Sequence, residues 1–204
     1  MLSQPQPLNF WDERYSKKEP TYGWEPNDFL REGISRIPPG KVLCLAEGEG
    51  RNAVFLAKQG YDVTAVDQSA VGLAKAQGFA AERGVAIKTV QSDLSRFEIQ
   101  PGAWQGIISI WAHVPSLVRG DLHKRCVAGL APGGLFLLEA YSPKQLGRGT
   151  GGPSDLDLLM DLSVVRRELA GLQFEIACER ERDVQEGPFH NGVGSVIQIL
   201  AKKP

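Results

Sequence analysis

The sequence predicts a Rossmann-like α/β protein: a doubly wound, seven-stranded sheet, mostly parallel, with an antiparallel C-terminal strand and helices on both faces. Short apolar runs alternate with stretches of helical spacing, a glycine loop follows the first run, and acidic residues follow the second and third. Runs that are apolar almost throughout are typical of strands buried on both faces of a parallel sheet. Ligands bind outside the carboxyl ends of such strands, so we expect the functional site there.

The first strand–helix–strand unit carries the most specific signal. Residues 42–46 form an apolar run, Gly48 and Gly50 follow at once, and a second run ends at Asp67. Glycine lets the backbone turn sharply and lets a ligand approach it, and the free N–H groups at the start of the next helix face that ligand. A carboxylate after the second strand can accept hydrogen bonds from ribose hydroxyls. The unit therefore predicts a nucleoside site, although Gly48, Gly50 and Ala53 also fit the dinucleotide pattern G-x-G-x-x-A.

The segment before this unit, residues 8–40, is predicted to form a helical lid. Residues 1–7 are predicted to be a disordered tail. A short helix over residues 10–15 precedes a loop, and a second helix over residues 29–37 ends at a Pro-Pro-Gly sequence. Placed over the cleft, the aromatic rings of this segment would exclude water from a bound ligand. They are Trp11, Tyr15, Tyr22 and Trp24.

The remaining elements follow in an order that completes the sheet. Ser69 caps a helix that extends to Arg83, and Gly84 ends it. The other predicted ranges are 85–90, 104–111 and 135–140 for strands, 116–130 and 161–171 for helices, 132–134 for a turn, 142–153 for a loop, and 173–183 with 191–202 for an antiparallel pair.

Length and composition indicate one globular domain over residues 1–204. The formal net charge of −1 gives no overall attraction to nucleic acid or to an anionic membrane. The N-terminus is polar, and no apolar run is long enough to span a membrane. The chain has no C-x-x-C pair, so we expect no metal site. Together with three cysteines that are far apart in the sequence, these properties predict a cytoplasmic protein, and we expect a monomer or weak dimer.

Five motifs, in their order and spacing, resemble the class I S-adenosylmethionine-dependent methyltransferases. Within that class the chain is most similar to the small tellurite-resistance and thiopurine-type methyltransferases. The motifs are residues 42–52, 66–69, 92–94 and 132–134 and the terminal strand pair, and the resemblance extends from about residue 10 to residue 202. It implies transfer of a methyl group from S-adenosylmethionine to a small-molecule acceptor, with S-adenosylhomocysteine as the product.

The same resemblance implies roles for the residues at the strand ends. Gly48 and Gly50 would lie under the methionine part of the cofactor, and Glu47 with the Ala46 carbonyl would face its ammonium group. Asp67 would hold the ribose hydroxyls. The other cofactor contacts that we expect are Gln68 beside the ribose, Asp93 and Leu94 at the adenine, and Arg51, Asn52, Ser69, Trp111, Trp11 and Tyr15.

Two positions depart from the pattern of many relatives. Cys44 stands where they have Asp, and Ala46 stands where they have Gly. We expect Cys44 to be buried without further effect. Glu47 and Glu49 could supply substitute negative charge near the cationic sulfonium.

No acid–base pair in the sequence stands out as catalytic. His113 is the best candidate by position, because it follows the fourth strand, and Tyr141 at the end of the fifth is the second. His190 lies near a hairpin turn and is predicted to be on the surface. A soft acceptor such as a thiolate, selenide or telluride needs no strong base, whereas an alcohol or neutral nitrogen more often does.

Two other functions stay open. A nicotinamide-dependent, NAD(P)-using oxidoreductase would also fit the glycine loop, but a short-chain dehydrogenase needs Tyr and Lys four apart on a helix. Here Tyr141 and Lys144 are three apart with Pro143 between them, so no helix presents both. A catalytically silent cofactor-binding or interaction module is the second alternative, because methyl transfer needs few diagnostic residues.

Overall fold

The computed structural model describes residues 8–204, with side chains from Phe10 onward, so the predicted disordered tail at 1–7 lies outside the described residues. The helices are α1 (Leu8–Tyr15), α2 (Asp28–Gly33), α3 (Arg51–Lys58), α4 (Ala70–Glu82), α5 (Ser116–Gly129) and α6 (Leu162–Glu168). The strands are β1 (Lys41–Leu45), β2 (Asp62–Asp67), β3 (Lys88–Gln91), β4 (Trp104–Ile110), β5 (Leu130–Tyr141), β6 (Gln173–Gln185) and β7 (Asn191–Lys202). None of the described helices is both long enough and apolar enough to cross a membrane.

A single seven-stranded sheet has the order β3-β2-β1-β4-β5-β7-β6. β1 pairs in parallel with β2 on one side and β4 on the other, and β3 and β5 extend the parallel part. The winding reverses between β1 and β4, which opens a crevice at their carboxyl ends. β7 pairs antiparallel with both β5 and β6. The predicted fold class, including the antiparallel C-terminal strand, is confirmed.

Helices cover both faces of the central strands. Successive residues of a strand point to opposite faces, so Leu43 and Ile107 pack with α5 and α6 while Cys44 and Ile108 pack with α2, α3 and α4. These four residues are at most 1% exposed. Each fully buried Leu or Ile contributes about 1.5–3 kcal/mol relative to exposure. The result is a rigid sheet that fixes where each strand ends.

The predicted turn at residues 132–134 is wrong, because these residues lie inside β5. Trp104 on β4 pairs with Leu130 on β5, and Gly106 pairs with Leu135, so β5 has the extra residues. β5 therefore bulges at residues 132–134 instead of ending in a turn. Gly133, with a φ of 78°, donates its N–H to the Lys203 carbonyl at 2.9 Å. The segment keeps backbone partners through this bulge, which is why the strand continues across a glycine pair.

Several other boundaries differ from the prediction by a few residues; the helix predicted over residues 161–171, for example, is α6, Leu162–Glu168. The helix predicted over residues 29–37 ends as an α-helix at Gly33 and continues as a 3₁₀ turn to Arg36. The third strand begins at Lys88 rather than at Val85, because the Val85 N–H is already bonded to the Ala80 carbonyl at the end of α4, at 3.0 Å.

Candidate active site

A cavity of about 860 Å³ lies at the carboxyl ends of the parallel strands. Its floor comes from the residues that follow β1, β2, β3 and β4. α1 and the loop after it, the tip of the β6–β7 hairpin, and the loop after β5 form the remaining walls. Ligand sites typically have about 300–1,000 Å³, so this cavity can hold a nucleoside-sized molecule together with a small second one.

Two carboxylates hold the glycine loop between β1 and α3. Glu47 Oε1 accepts hydrogen bonds from the N–H groups of Asn52 at 2.9 Å and Ala53 at 2.8 Å, which caps the start of α3. Asp67 Oδ2 accepts the Gly48 N–H at 2.8 Å. Burial raises the pKa of Glu47 to about 7, against the effect of those N–H groups, and burial also raises the pKa of Asp67. Both groups line the cavity, so a cation bound beside them would favour their ionised forms.

The backbone is strained at the ends of β1 and β4. Ala46 has a φ of 49° and Trp111 has a φ of 56°, which lie in the left-handed region that residues other than glycine rarely adopt. Each such residue costs about 1–3 kcal/mol and persists only where its surroundings fix it. Here the Glu47 N–H is bonded to the Val66 carbonyl at 3.1 Å and the Trp111 N–H to the Glu139 carbonyl at 2.9 Å. The strain marks the two strand ends that meet at the crevice.

Eleven of the fourteen residues predicted to contact a cofactor line this cavity. The other three lie behind its wall for different reasons. Gly48 is covered by Tyr15, whose hydroxyl would be 2.5 Å from a Cβ at that position, and Gly50 packs as closely on α4. Ser69 is fully buried and caps α4. The eleven lining residues are Ala46, Glu47, Arg51, Asn52, Asp67, Gln68, Asp93, Leu94, Trp111, Trp11 and Tyr15.

The N-terminal segment, which the sequence predicts to be a lid, contributes Trp11, Tyr15 and Tyr22 to the cavity wall. Asp12 on α1 accepts the Ser69 hydroxyl at 2.5 Å, and the Thr21 N–H donates to Glu49 at 2.7 Å. The rings of Trp11 and Tyr15 stack with centroids 5.7 Å apart. Trp24 is the exception among the four predicted aromatics, because it packs on Phe79 at 4.4 Å outside this cavity.

Neither predicted catalytic candidate is placed as a general base. The Nδ1 of His113 bonds to the Leu158 carbonyl at 2.8 Å, and its Nε2 accepts the Tyr141 N–H at 3.4 Å. Burial lowers the pKa of His113 to about 4, so the ring is neutral at pH 7 with both nitrogens engaged. Tyr141 is fully buried, does not line the cavity, and stacks on Trp111 at 4.4 Å, and burial raises its pKa.

The prediction that His190 lies on the surface is wrong. Its side chain is 6% exposed and lines the cavity. The ring centroid is 4.7 Å from that of Tyr22 and 4.9 Å from that of Trp111. The hairpin that carries His190 folds back over the cleft, which places a turn residue against the aromatic side chains.

A buried ion network beside the cavity escaped the sequence prediction. Glu186 accepts hydrogen bonds from the Trp111 indole at 2.6 Å, from Arg182 at 2.6 Å and from Arg51. Arg182 also pairs with Glu139, which is fully buried. One signal was available, since Glu139 interrupts an otherwise apolar strand and a charge there requires a partner. The network ties α3, β4, β5 and the hairpin tip together at one side of the site.

Part of the chain matches a known protein family, and two curated proteins are similar to it in sequence. Residues 42–134 match the model of the methyltransferase domain family. The 2-heptyl-1-hydroxyquinolin-4(1H)-one methyltransferase of Mycobacteroides abscessus is 27% identical over 117 residues, 56% of this chain and 52% of that protein. Hemagglutinin 1 of Eikenella corrodens is 36% identical over 66 residues, 32% of this chain and 22% of that protein. The chain thus spans about half or less of the curated relatives that it matches.

Solved structures extend the similarity over nearly the whole chain. TehB from Haemophilus influenzae superposes with a TM-score of 0.73 at 18% identity, covering 97% of this chain and 67% of that one. A SAM-dependent methyltransferase from Methanosarcina mazei superposes with a TM-score of 0.68 at 14% identity, covering 83% and 95%. Residues 42–134 therefore resemble the methyltransferase domain family, and the chain has the fold of the class I S-adenosylmethionine-dependent methyltransferases, with the resemblance to TehB-type proteins that its motifs indicated.

Proposed function

We propose that the protein is an S-adenosylmethionine-dependent methyltransferase that acts on a small-molecule acceptor. The observation that carries this proposal is the Asp67 carboxylate, which holds the Gly48 N–H and lines the same cavity as Glu47 and Asp93. An acid beside a glycine loop suits the ribose hydroxyls of a nucleoside. The domain match and the quinolone methyltransferase among the relatives support methyl transfer to a small molecule.

The residues around the cavity fit the cofactor. Asp67 would hold the ribose hydroxyls, Asp93 and the Leu94 amide the adenine, and Glu47 the ammonium group. When bound, S-adenosylmethionine supplies an activated methyl group on a sulfonium. Glu47 and Asp67 would place negative charge near that cation, and the aromatic side chains of the lid would add the faces of their rings.

The protein's own contribution to the reaction is positioning and exclusion of water. The lid closes over the cavity through Asp12 and Thr21, and orientation alone can supply about 7–11 kcal/mol of a reaction barrier. Neither His113 nor Tyr141 is free to act as a base at the cavity, because both nitrogens of His113 are bonded and Tyr141 lies behind Trp111. The proposed acceptor therefore reacts as an already ionised or soft nucleophile.

The experiment is thermal unfolding, measured by differential scanning calorimetry, with S-adenosylhomocysteine and, separately, with NAD⁺. At one hundred times its dissociation constant a ligand stabilises the fold by about 2.7 kcal/mol, which for a domain of this size raises Tm by about 5–11 °C. We expect this effect with S-adenosylhomocysteine and none with NAD⁺. The opposite result would favour the oxidoreductase, and binding without turnover of any acceptor would favour a silent module.

The arrangement of Tyr141 and Lys144 gives the oxidoreductase alternative no support. Tyr141 lies behind Trp111, away from the cavity. The Lys144 ammonium pairs with Glu179 at 3.0 Å. A dehydrogenase of the short-chain type would need both side chains at the substrate.

We further propose that the protein works in the cytoplasm as a monomer or weak dimer. Size-exclusion chromatography with light scattering would test the oligomeric state.

A further inference from the structure

We infer that Arg14, Tyr22 and His190 form the subsite for the methyl acceptor, and that this acceptor is a planar aromatic molecule carrying an anionic group. The inference rests on the proposed function and deepens it. It starts from two side chains in the cavity wall whose polar groups lack the partners that their burial or charge requires.

His190 is the first of these side chains. The ring is 6% exposed, and none of the described residues hydrogen-bonds to either of its nitrogens; Nδ1 is fully buried without a partner. Buried polar groups are almost always hydrogen-bonded, and leaving one unpaired is unfavourable. Burial lowers the pKa of His190 to about 3, so the ring is neutral and offers one donor and one acceptor. A ligand in the cavity can hydrogen-bond to Nε2, which has no partner among the described residues and is not closed off as Nδ1 is.

Arg14 is the second. Its guanidinium lies over the rings of Phe10 at 4.9 Å, Trp11 at 5.7 Å and Phe189 at 4.4 Å, and it donates to the Tyr22 hydroxyl at 3.3 Å. Within the described residues no carboxylate lies within ion-pair distance of it. The other arginine of the cavity wall, Arg51, is committed to Glu186. Arg14 therefore presents a charge without a counter-ion between apolar rings, where an anion would bind more strongly than in water.

The surroundings of the two groups define the rest of the ligand. Tyr22, Phe189 and Trp111 present ring faces or edges beside Arg14 and His190. Such rings favour a flat aromatic partner over a compact or aliphatic one. The cavity is also lined by the apolar side chains of Val114, Val118 and Leu158. A small inorganic oxyanion would leave these walls unfilled.

Charge separates the acceptor side from the cofactor side. The carboxylates of Glu47, Glu49, Asp67 and Asp93 lie at or just after the ends of β1, β2 and β3, and they would repel an anion placed among them. Asp155, on the loop after β5, also lines the cavity, so an anion is favoured only on the side of Arg14. Arg14 lies on the lid, on the side of the hairpin tip that carries Phe189. An anionic acceptor is thereby directed to the lid and hairpin, and the cationic cofactor to the strand ends.

The test is calorimetry on the full chain saturated with S-adenosylhomocysteine. The probe is 3-hydroxy-2-naphthoate, and 3-hydroxy-2-naphthamide is its neutral match. We expect the naphthoate to bind at least about tenfold more tightly than the amide, because an ion pair contributes beyond a neutral hydrogen bond. Arg14→Gln should lower naphthoate affinity about tenfold or more, with partial rescue in Arg14→Lys. The control Arg180→Gln removes an exposed arginine on β6 and should leave both affinities unchanged.

His190 is tested by a matched pair of variants. His190→Phe keeps the ring and removes the nitrogens, so it should weaken both probes by about tenfold, whereas His190→Gln should weaken them less. Equal binding of naphthoate and amide to the wild type, or wild-type naphthoate affinity in both Arg14→Gln and His190→Phe, would overturn the inference.

One competing source of the anion is the carboxylate of the cofactor itself. 5′-Methylthioadenosine has the same nucleoside without the amino-acid part, so it separates the two sources. If Arg14→Gln weakens S-adenosylhomocysteine but not 5′-methylthioadenosine, and naphthoate binding is unaffected, Arg14 serves the cofactor and the inference fails. If S-adenosylhomocysteine does not bind the wild type, the proposed function fails as well; normal binding of it without naphthoate binding refutes the acceptor subsite alone.

Discussion

Glu186 holds the buried ion network together, and Glu186→Gln tests how much that network stabilises the fold. The carboxylate is 5% exposed and accepts hydrogen bonds from Asn27, Arg51, Trp111 and Arg182. Burial alone would raise its pKa. The positive charge and hydrogen bond of Arg51, the Trp111 hydrogen bond and the charge of Arg182 outweigh burial and lower the pKa of Glu186 from 4.5 to about 2.

The magnitude and its sign follow from that pKa. Because the folded pKa lies below the unfolded value, the ionised carboxylate contributes stability that is fully present above pH 4.5 and is lost as the pH falls toward 2. At about 1.36 kcal/mol per pKa unit this contribution is about 3 kcal/mol at pH 7. Removing one partner of a buried ion pair costs a similar amount, about 3–5 kcal/mol.

The assay is urea denaturation of the wild type and the variants at pH 7 and at pH 3.5. We expect Glu186→Gln to lose about 3 kcal/mol at pH 7 and about 2 kcal/mol at pH 3.5. Glu181→Gln is the control, because Glu181 lies on β6, just before Glu186 in the chain, has a side chain that is 61% exposed and pairs with Arg148. Such a surface pair contributes at most about 1 kcal/mol. A loss for Glu186→Gln no larger than the control's at pH 7 would refute the reasoning, and equal losses at both pH values would refute its electrostatic origin.

Three further predictions concern the site. Asp67→Ala should weaken S-adenosylhomocysteine binding about 10–100-fold, because a charged hydrogen-bond acceptor is lost; wild-type affinity in calorimetry would remove Asp67 from the cofactor site. Because burial raises the pKa of Glu47 to about 7, a bound ammonium group must lower it, so S-adenosylhomocysteine affinity should rise from pH 5 to pH 7 with release of a proton. Glu47→Gln should flatten that profile, and an unchanged profile would exclude the carboxylate. His113→Ala should slow single-turnover transfer to a soft acceptor by less than about tenfold, whereas a loss of about a thousandfold with cofactor affinity unchanged would make His113 the general base.

The strand ends of this protein could be predicted because they depend on local sequence. The apolar run at residues 42–46 and the acid at Asp67 identify their own positions, and parallel pairing then brings the strand ends together. Most of the expected cofactor contacts line the cavity for this reason. The same logic fails at residues 132–134, where a glycine pair that is typical of a turn finds backbone partners and stays in a strand.

The hairpin side of the site could not be predicted, because it depends on contacts between residues far apart in the sequence. Asn27 and Glu186 are 159 positions apart, and Trp111 and Glu186 are 75 apart. A hairpin tip normally lies in water, so His190 gave no sign of burial. Its place follows from the docking of β7 on β5, which carries the tip back over the cleft.

The position of β7 also determines when the site can form during synthesis. β7 is the last of the seven strands in chain order, yet it lies between β5 and β6. Until it emerges, β5 has an unpaired edge and β6 has no partner among the described strands. At about 5–20 residues per second, the roughly fifty residues between β5 and β7 take about 3–10 s to translate. During those seconds the nascent chain presents an open sheet edge of the kind that pairs with other strands. Glu186 and His190 belong to this last hairpin, so the strand-end residues of the site are synthesised before the hairpin residues that complete the cavity.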